Sequence, residues 1–253
     1  MHPMTLTRSA FFMGVAMAAP SFCQAAEAQV AVAANFAEPI KAVAAVLEKT
    51  TGHTLKVTVG ATGKFYAQIQ NGAPFDVLLA ADTHTPQKLE AEGLAVSGTR
   101  FTYATGKLVL WSVQAGRVDG QGQILQAGNL GKVSYANPKV APYGAATIKA
   151  IDAMGLTRVI APKLVQGESI AQAYAFTATG NADVGFVALS QVLEAGRLKN
   201  GSMWVVPQRF YDPIRQDAVL LKKGQTNEAA QALLRLLQST QIDNLIRSYG
   251  YER

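Results

Sequence analysis

The chain alternates short runs rich in apolar and β-branched residues with longer stretches whose apolar residues recur every three or four positions. Two of the short runs, residues 76–81 (DVLLAA) and 184–189 (VGFVAL), are almost continuously apolar. Strands of that kind are buried on both faces of a sheet, which requires helices above and below it. The alternation therefore predicts an α/β fold with mainly parallel sheets. Further strands are expected at 29–34, 55–60, 107–112, 133–136, 163–166, 202–207 and 217–221. Helices are expected at about 63–70, 86–92, 145–154 and 170–177, with two more closing the chain. Another should follow the first strand, with Asn35 as its N-cap, Glu38 three positions on, and Phe36, Ile40, Val43 and Leu47 along one face.

The first residues read differently. One basic residue, Arg8, precedes the apolar run 10–19, which Pro20 and Ser21 end. Ten apolar residues are too few to span a bilayer, which takes about 20. Small residues follow, and Ala26-Glu27-Ala28 fits the small-x-small pattern of a signal peptidase site. Residues 1–28 are thus expected to be a secretory signal peptide, which places the mature chain in the periplasm. The single cysteine, Cys23, lies inside that segment beside the bulky Phe22, so no lipid-anchor motif is read. The mature chain then has no thiol, which excludes disulfides and cysteine chemistry.

Composition narrows the function. With 49% hydrophobic residues the chain can build a core, which excludes disorder. Its net charge is +6, from 23 Lys+Arg against 17 Asp+Glu. The basic residues are scattered and not interleaved with aromatics, so no nucleic-acid footprint is present. Of three histidines, His2 falls in the signal segment, while His53 and His84 sit in loop-like positions without ligand spacing. Gly60-Ala61-Thr62-Gly63-Lys64 fails as a phosphate loop, because Thr58 stands where a Walker glycine is needed and Phe65 where Ser or Thr would hold magnesium. Asp76 and Asp82 flank one strand, and without a partner base they are expected to cap or brace it.

One construction recurs. A strand ends in a small or hydroxylated turn that opens a helix, at Ala34-Asn35, Ala61-Thr62-Gly63, Pro142-Tyr143-Gly144 and Glu168-Ser169-Ile170. A helix start carries unpaired N–H groups and about half a positive charge. Several aimed at one point make an anion site without a charged side chain.

The segments 32–36 (VAANF), 60–69 (GATGKFYAQI), 72–82 (GAPFDVLLAAD), Asn137-Pro138 with 141–144 (APYG), 180–187 (GNADVGFV) and 249–251 (YGY) follow in an order that resembles the molybdate-binding periplasmic proteins of ABC importers. The resemblance runs from Val30 to Tyr251. It implies the type II periplasmic-binding-protein fold: two α/β lobes joined by two crossover strands, with a tetrahedral oxyanion in the cleft. On that pattern 29–109 and 209–253 form lobe 1, and 110–208 form lobe 2. The implied binding residues are Ala34 and Asn35, Ala61 and Thr62, Tyr143, and the backbone of Ile170. Many relatives carry Ser where Asn35 and Thr62 stand, and a tyrosine where this chain has Ala188, whose hydroxyl Tyr143 would replace.

The implied ligand is molybdate, and tungstate as a near-isostere, with molybdenum held only as its oxyanion and no further cofactor. A rigid donor ring rejects smaller sulfate because each donor left unpaired costs about 1–3 kcal/mol. The implied partner is a membrane permease, served by a monomer. Other readings are a sulfate or phosphate binder, an enzyme on the same two-lobe fold, or a regulator's effector domain. The thiol-bound cofactor of the deaminases on that fold has no attachment point here. No DNA-binding helix-turn-helix precedes the domain.

Overall fold

The computed structural model describes residues 25–253, so most of the expected signal segment lies outside the described residues. The chain enters on strand β1 (Glu27–Ala33), then helix α1 (Ala37–Thr51), β2 (Thr54–Gly60), α2 (Thr62–Gln70), β3 (Val77–Leu79), α3 (His84–Ala91) and β4 (Phe101–Gly106). After one residue, Lys107, it continues as β5 (Leu108–Ser112), β6 (Val133–Ala136), α4 (Pro142–Ala153), α5 (Thr157–Ile160), β7 (Leu164–Gly167), α6 (Ile170–Ala178) and β8 (Val184–Ala188). The short α7 (Leu189–Val192), the hairpin β9 (Leu193–Glu194) and β10 (Arg197–Leu198), and β11 (Ser202–Val205) follow. Then β12 (Ile214–Leu220), α8 (Glu228–Gln238) and α9 (Asp243–Ser248) close the chain.

Two five-stranded sheets result, in the orders β2-β1-β3-β12-β4 and β11-β5-β8-β6-β7. The expected mainly parallel sheets are corrected to mixed ones. β1 is parallel to β2 and β3, and β6 to β7 and β8, whereas β12, β5 and β11 run antiparallel to their neighbours. The reason is the path of the chain. It leaves the first sheet at β4, enters the second at β5, and returns on β12, so strands next to the crossings run against those fed by βα units. All of β5 belongs to the second sheet, so the expected lobe boundary at 109/110 would cut through a continuous strand.

Each sheet is covered on both faces. In β5, Leu108 and Leu110 face the α4 side while Val109 and Trp111 face the other, the period of two that a doubly covered strand requires. In the first sheet, Val30, Val32, Val77 and Leu79 pack with Ile40, Val43, Leu47 and Leu233. Ala31, Leu78 and Ala80 pack with Phe65, Ile69 and Leu89 of α2 and α3 on the opposite face. The expected strand 76–81 shortens to Val77–Leu79, because Asp76 and Asp82 serve the flanking turns. The Asp76 carboxylate accepts from the Gln29 N–H (2.7 Å) and the Asn227 amide (3.2 Å), while Asp82 accepts from the N–H (2.7 Å) and hydroxyl (3.2 Å) of Thr85 at the start of α3. Those are the bracing roles expected of the pair.

β1 pairs with β2 from Glu27 onward and Ala28 is fully buried, so a cut after Ala28 would remove the first two rungs of a core strand. His53 sits in the loop position expected of it and is buried there, its Nδ1 accepting from the Ala26 N–H (3.1 Å), because the turn before β2 folds under the start of β1. Asn35 is not an N-cap: residues 34–36 form one 3₁₀ turn, α1 starts at Ala37, and no side chain caps it.

Two outcomes test this packing. Leu233→Ala empties a fully buried position beneath β1, and urea unfolding should show a loss of about 2–5 kcal/mol. In the second sheet the Asp183 carboxylate takes the Arg117 guanidinium at Nε (2.8 Å) and Nη2 and the Gly131 N–H (2.9 Å), and Arg117 holds its pKa below the usual carboxylate value. A lowered folded pKa stabilises above the unfolded value, about 3.9, and that stability is lost as pH falls through the folded one. Asp183→Asn should therefore destabilise by about 1–3 kcal/mol at pH 7, with the gap to wild type closing below about pH 4.

Candidate functional site

The parallel strands of both sheets point their C-terminal ends at each other, and the helices they feed start there. In such sheets ligands bind beyond the carboxyl ends of the strands. A small cavity of about 10 Å³ lies at this junction, lined by Ala33, Ala34, Asn35, Gly60, Ala61, Thr62, Ala81, Ala141, Pro142, Tyr143 and Ile170. All six expected site residues are in its wall, and none is more than 5% exposed. About 10 Å³ is the space of one water-sized sphere.

The donors come from helix starts. Ala34 and Asn35 open the 3₁₀ turn before α1, Thr62 opens α2, Tyr143 is in the first turn of α4, and Ile170 opens α6. N–H groups in a first turn have no acceptor within their own helix. Ser169 accepts from Gln172 N–H (3.3 Å), capping α6 as its sequence suggests and leaving Ile170 at the cavity. The Gln191 side chain donates to the Ile170 carbonyl (3.1 Å), fixing that turn from behind.

Two hydroxyls join the backbone groups. Thr62 Oγ1 accepts from the Ala81 N–H (3.0 Å), which leaves its own proton for the cavity. Tyr143 Oη accepts from Gln216 Nε2 (3.3 Å), and its proton is likewise left over. Burial pushes the Tyr143 phenol well above its usual value, so it stays a neutral donor through the physiological range. Asn35 faces the other way. Its Nδ2 donates to Gln216 Oε1 (2.7 Å) and to Tyr251 Oη (2.9 Å), and its carbonyl accepts from Ser190 Oγ (2.7 Å). Both amide protons are spent inside the protein, so what Asn35 offers the cavity as a donor is its backbone N–H.

Contacts between the two sheet systems flank the cavity. The Gly63 N–H donates to the Val140 carbonyl (2.9 Å), and a Cβ on Gly63 would stand 3.0 Å from the Val140 backbone. Lys64 Nζ lies 2.9 Å from Glu168 Oε2, both side chains about half exposed. Lys64 is thus paired across the cleft and not simply solvated. Ala188 is fully buried at the end of β8 and does not line the cavity. Tyr143 is fully built into the wall.

A larger groove of about 470 Å³ adjoins the cavity and shares Ala81, Ala141 and Pro142 with it. Its lining includes the exposed Lys139, Lys149, Asp212 and Arg215 and the half-buried Asp82, whereas the small cavity has no ionised side chain in its wall. The groove is the outer cleft, and the donors converge only in the smaller space. Sequence reading missed Gln216 and Tyr103. Neither lies near a βα turn, and their place behind the site comes from strands far away in the chain.

Residues 28–252 match the family described as bacterial extracellular solute-binding protein. The chain is 55% identical to a molybdate-binding protein of Azotobacter vinelandii and 49% identical to one of Rhodobacter capsulatus, with at least 97% of each chain covered. Among solved structures, an Azotobacter vinelandii periplasmic molybdate-binding protein is 38% identical and superposes with a TM-score of 0.87 over 89% of this chain and 99% of that one. A sulfate-binding protein of Mycobacterium tuberculosis, 15% identical with a TM-score of 0.72, shares the fold. With the two-lobe, two-crossover architecture of the type II periplasmic binding proteins, the chain belongs to the bacterial extracellular solute-binding protein family and, within it, to the molybdate-binding proteins.

Proposed function

We propose that this chain is the substrate-binding component of a molybdate importer, a transport protein and not an enzyme, which captures the oxyanion in the cavity between its two sheets. The observation that carries this reading is the convergence of four helix starts and two free hydroxyl protons on one small cavity without an ionised side chain. Ala34, Asn35, Ala61 and Ile170 are its backbone contributors, and Thr62 and Tyr143 supply the hydroxyls. Neutral donors suit a fully ionised tetrahedral oxyanion. A carboxylate, the strongest acceptor for the proton of hydrogen phosphate, is absent from the wall. Tungstate, of nearly the same size, should bind alongside molybdate.

Lobe 1 is read as the first sheet with its helices and lobe 2 as the second, with the crossings at Lys107 and between Val205 and Ile214. The cavity admits only one water-sized sphere, so capture requires the lobes to part, breaking the Gly63–Val140 and Lys64–Glu168 contacts. A seated oxyanion would hold them slightly wider than they stand here. The protein is exported to the periplasm as a monomer and hands its cargo to a membrane permease. Because β1 begins at Glu27, the leader is cut before that residue.

Mass spectrometry of the exported protein should find Glu27 and Ala28 retained; a mature chain beginning at Gln29 would contradict that cut. Calorimetry should show one molybdate per chain and a weak or absent response to sulfate; equal heats for both would contradict the size selectivity. Thr62→Ala and Tyr143→Phe each remove one hydrogen bond to a charged ligand, about 1.5–3 kcal/mol, so each should weaken binding roughly 10- to 100-fold; each also strips the partner from a buried donor, the Ala81 N–H or Gln216 Nε2, and should lower the melting temperature while circular dichroism shows the fold kept.

A further inference from the structure

Gln216 is fully buried on β12, the strand that returns from the second sheet to the first. Its side chain is the meeting point of three others. Oε1 accepts from Asn35 Nδ2 (2.7 Å) and shares the Tyr103 hydroxyl proton (3.0 Å) with the Ala80 carbonyl (3.1 Å), and Nε2 donates to Tyr143 Oη (3.3 Å). Tyr143 belongs to a helix of the second sheet, whereas Asn35, Tyr103 and Gln216 belong to the first. The single amide therefore bridges the two halves immediately behind the cavity.

The backbone is shaped for this contact. The pairing of β12 with β4 slips between Gln216 and Asp217, whose partners are Ala104 and Thr102, leaving Tyr103 as the extra residue of a bulge. A bulge re-aims side chains, and here it lets Tyr103 meet the Gln216 amide. Gly106, at the end of β4, is the second sign. A Cβ there would stand 2.0 Å from Tyr143 Oη and 2.6 Å from Gln216 Nε2, so a side chain at 106 and this pair cannot coexist.

An amide has fixed polarity. With Oε1 occupied by two donors, the end facing Tyr143 is the N–H end. A phenol oxygen that accepts a hydrogen bond from one side has its own proton for the other, and the other side is the cavity. We propose that Gln216 is a positioning residue for oxyanion binding: by donating to Tyr143 Oη it commits that hydroxyl to donate into the cavity, and by accepting from Asn35 it turns that side chain away from the anion. The inference rests on the reading of the cavity as the anion site and adds to it a residue that does not line the cavity.

The test is a double-mutant cycle on molybdate affinity by calorimetry, with Gln216→Met, Tyr143→Phe and the double variant. Tyr143→Phe should weaken binding about 10- to 100-fold. Gln216→Met should produce most of that loss, and in the Tyr143→Phe background it should add less than about threefold. Tyr103→Phe takes one donor from the same Gln216 oxygen without touching Tyr143. It should lower the melting temperature and leave affinity within about threefold. Equal losses from Gln216→Met with and without Tyr143 would reduce Gln216 to a structural role and overturn the inference. Unchanged affinity in Tyr143→Phe alone would overturn the site reading and the inference with it. Gln216→Leu removes the same donor with a smaller side chain, so it serves if the methionine variant does not fold. A folded Gln216→Leu protein with wild-type affinity would also overturn the proposal.

Discussion

The structure is organised around the cost of taking a small anion out of water. Its hydration must be replaced by donors that are already aimed, because flexible ones would lose their freedom on binding. Helix starts provide such donors, since a first-turn N–H has a fixed direction and no partner of its own. One βα turn supplies two or three. Two sheets whose parallel strands end face to face supply four turns around one point, and that arrangement dictates the rest. The chain must cross between the sheets twice, the crossing strands must run antiparallel to their neighbours, and the cavity must lie where the lobes touch.

Charge has little part in the inner wall. The exposed Lys139 and Arg215 stand at the outer groove, beside Lys149 paired with Asp212, and can steer an anion at long range. Inside, a lysine or arginine would hold any anion of suitable charge. Neutral groups in fixed positions instead select by distance, because a smaller ion leaves some of them unpaired. Behind them lies a buried polar layer. Gln216, Asn35, Tyr103, Tyr251 and Ser190 satisfy one another across both lobes, and among the described residues no buried side-chain donor or acceptor lacks a partner. Such a layer is rigid only when complete, which is why one amide can fix the polarity of a hydroxyl on another element.

The elements that depend on local pattern were legible in the sequence. The apolar strands, the amphipathic helices and the four turns follow from periodicity and turn chemistry, and the six expected site residues come together because each sits in one of those turns. What escaped depends on distant partners. β4 (FTYATG) has too little apolar character to stand out, and its burial comes from β12 more than a hundred residues away. Asn35 has the look of a helix cap, yet its side chain is claimed by Gln216, 181 positions on, and Tyr251, 216 positions on. The mixed sheets escaped for the same reason, since strand direction at the crossings is set by the return of the chain and not by any residue in them.

The central claim is that the oxyanion sits where the four helix starts converge, between the two sheets. Anomalous diffraction at the molybdenum absorption edge, from crystals grown with molybdate, tests it most directly. One molybdenum peak is expected in the cavity, with oxygens within hydrogen-bond distance of Thr62 Oγ1, Tyr143 Oη and the N–H groups of Asn35 and Ile170. A peak in the outer groove among Lys139, Lys149 and Arg215, with the inner cavity empty, would contradict it.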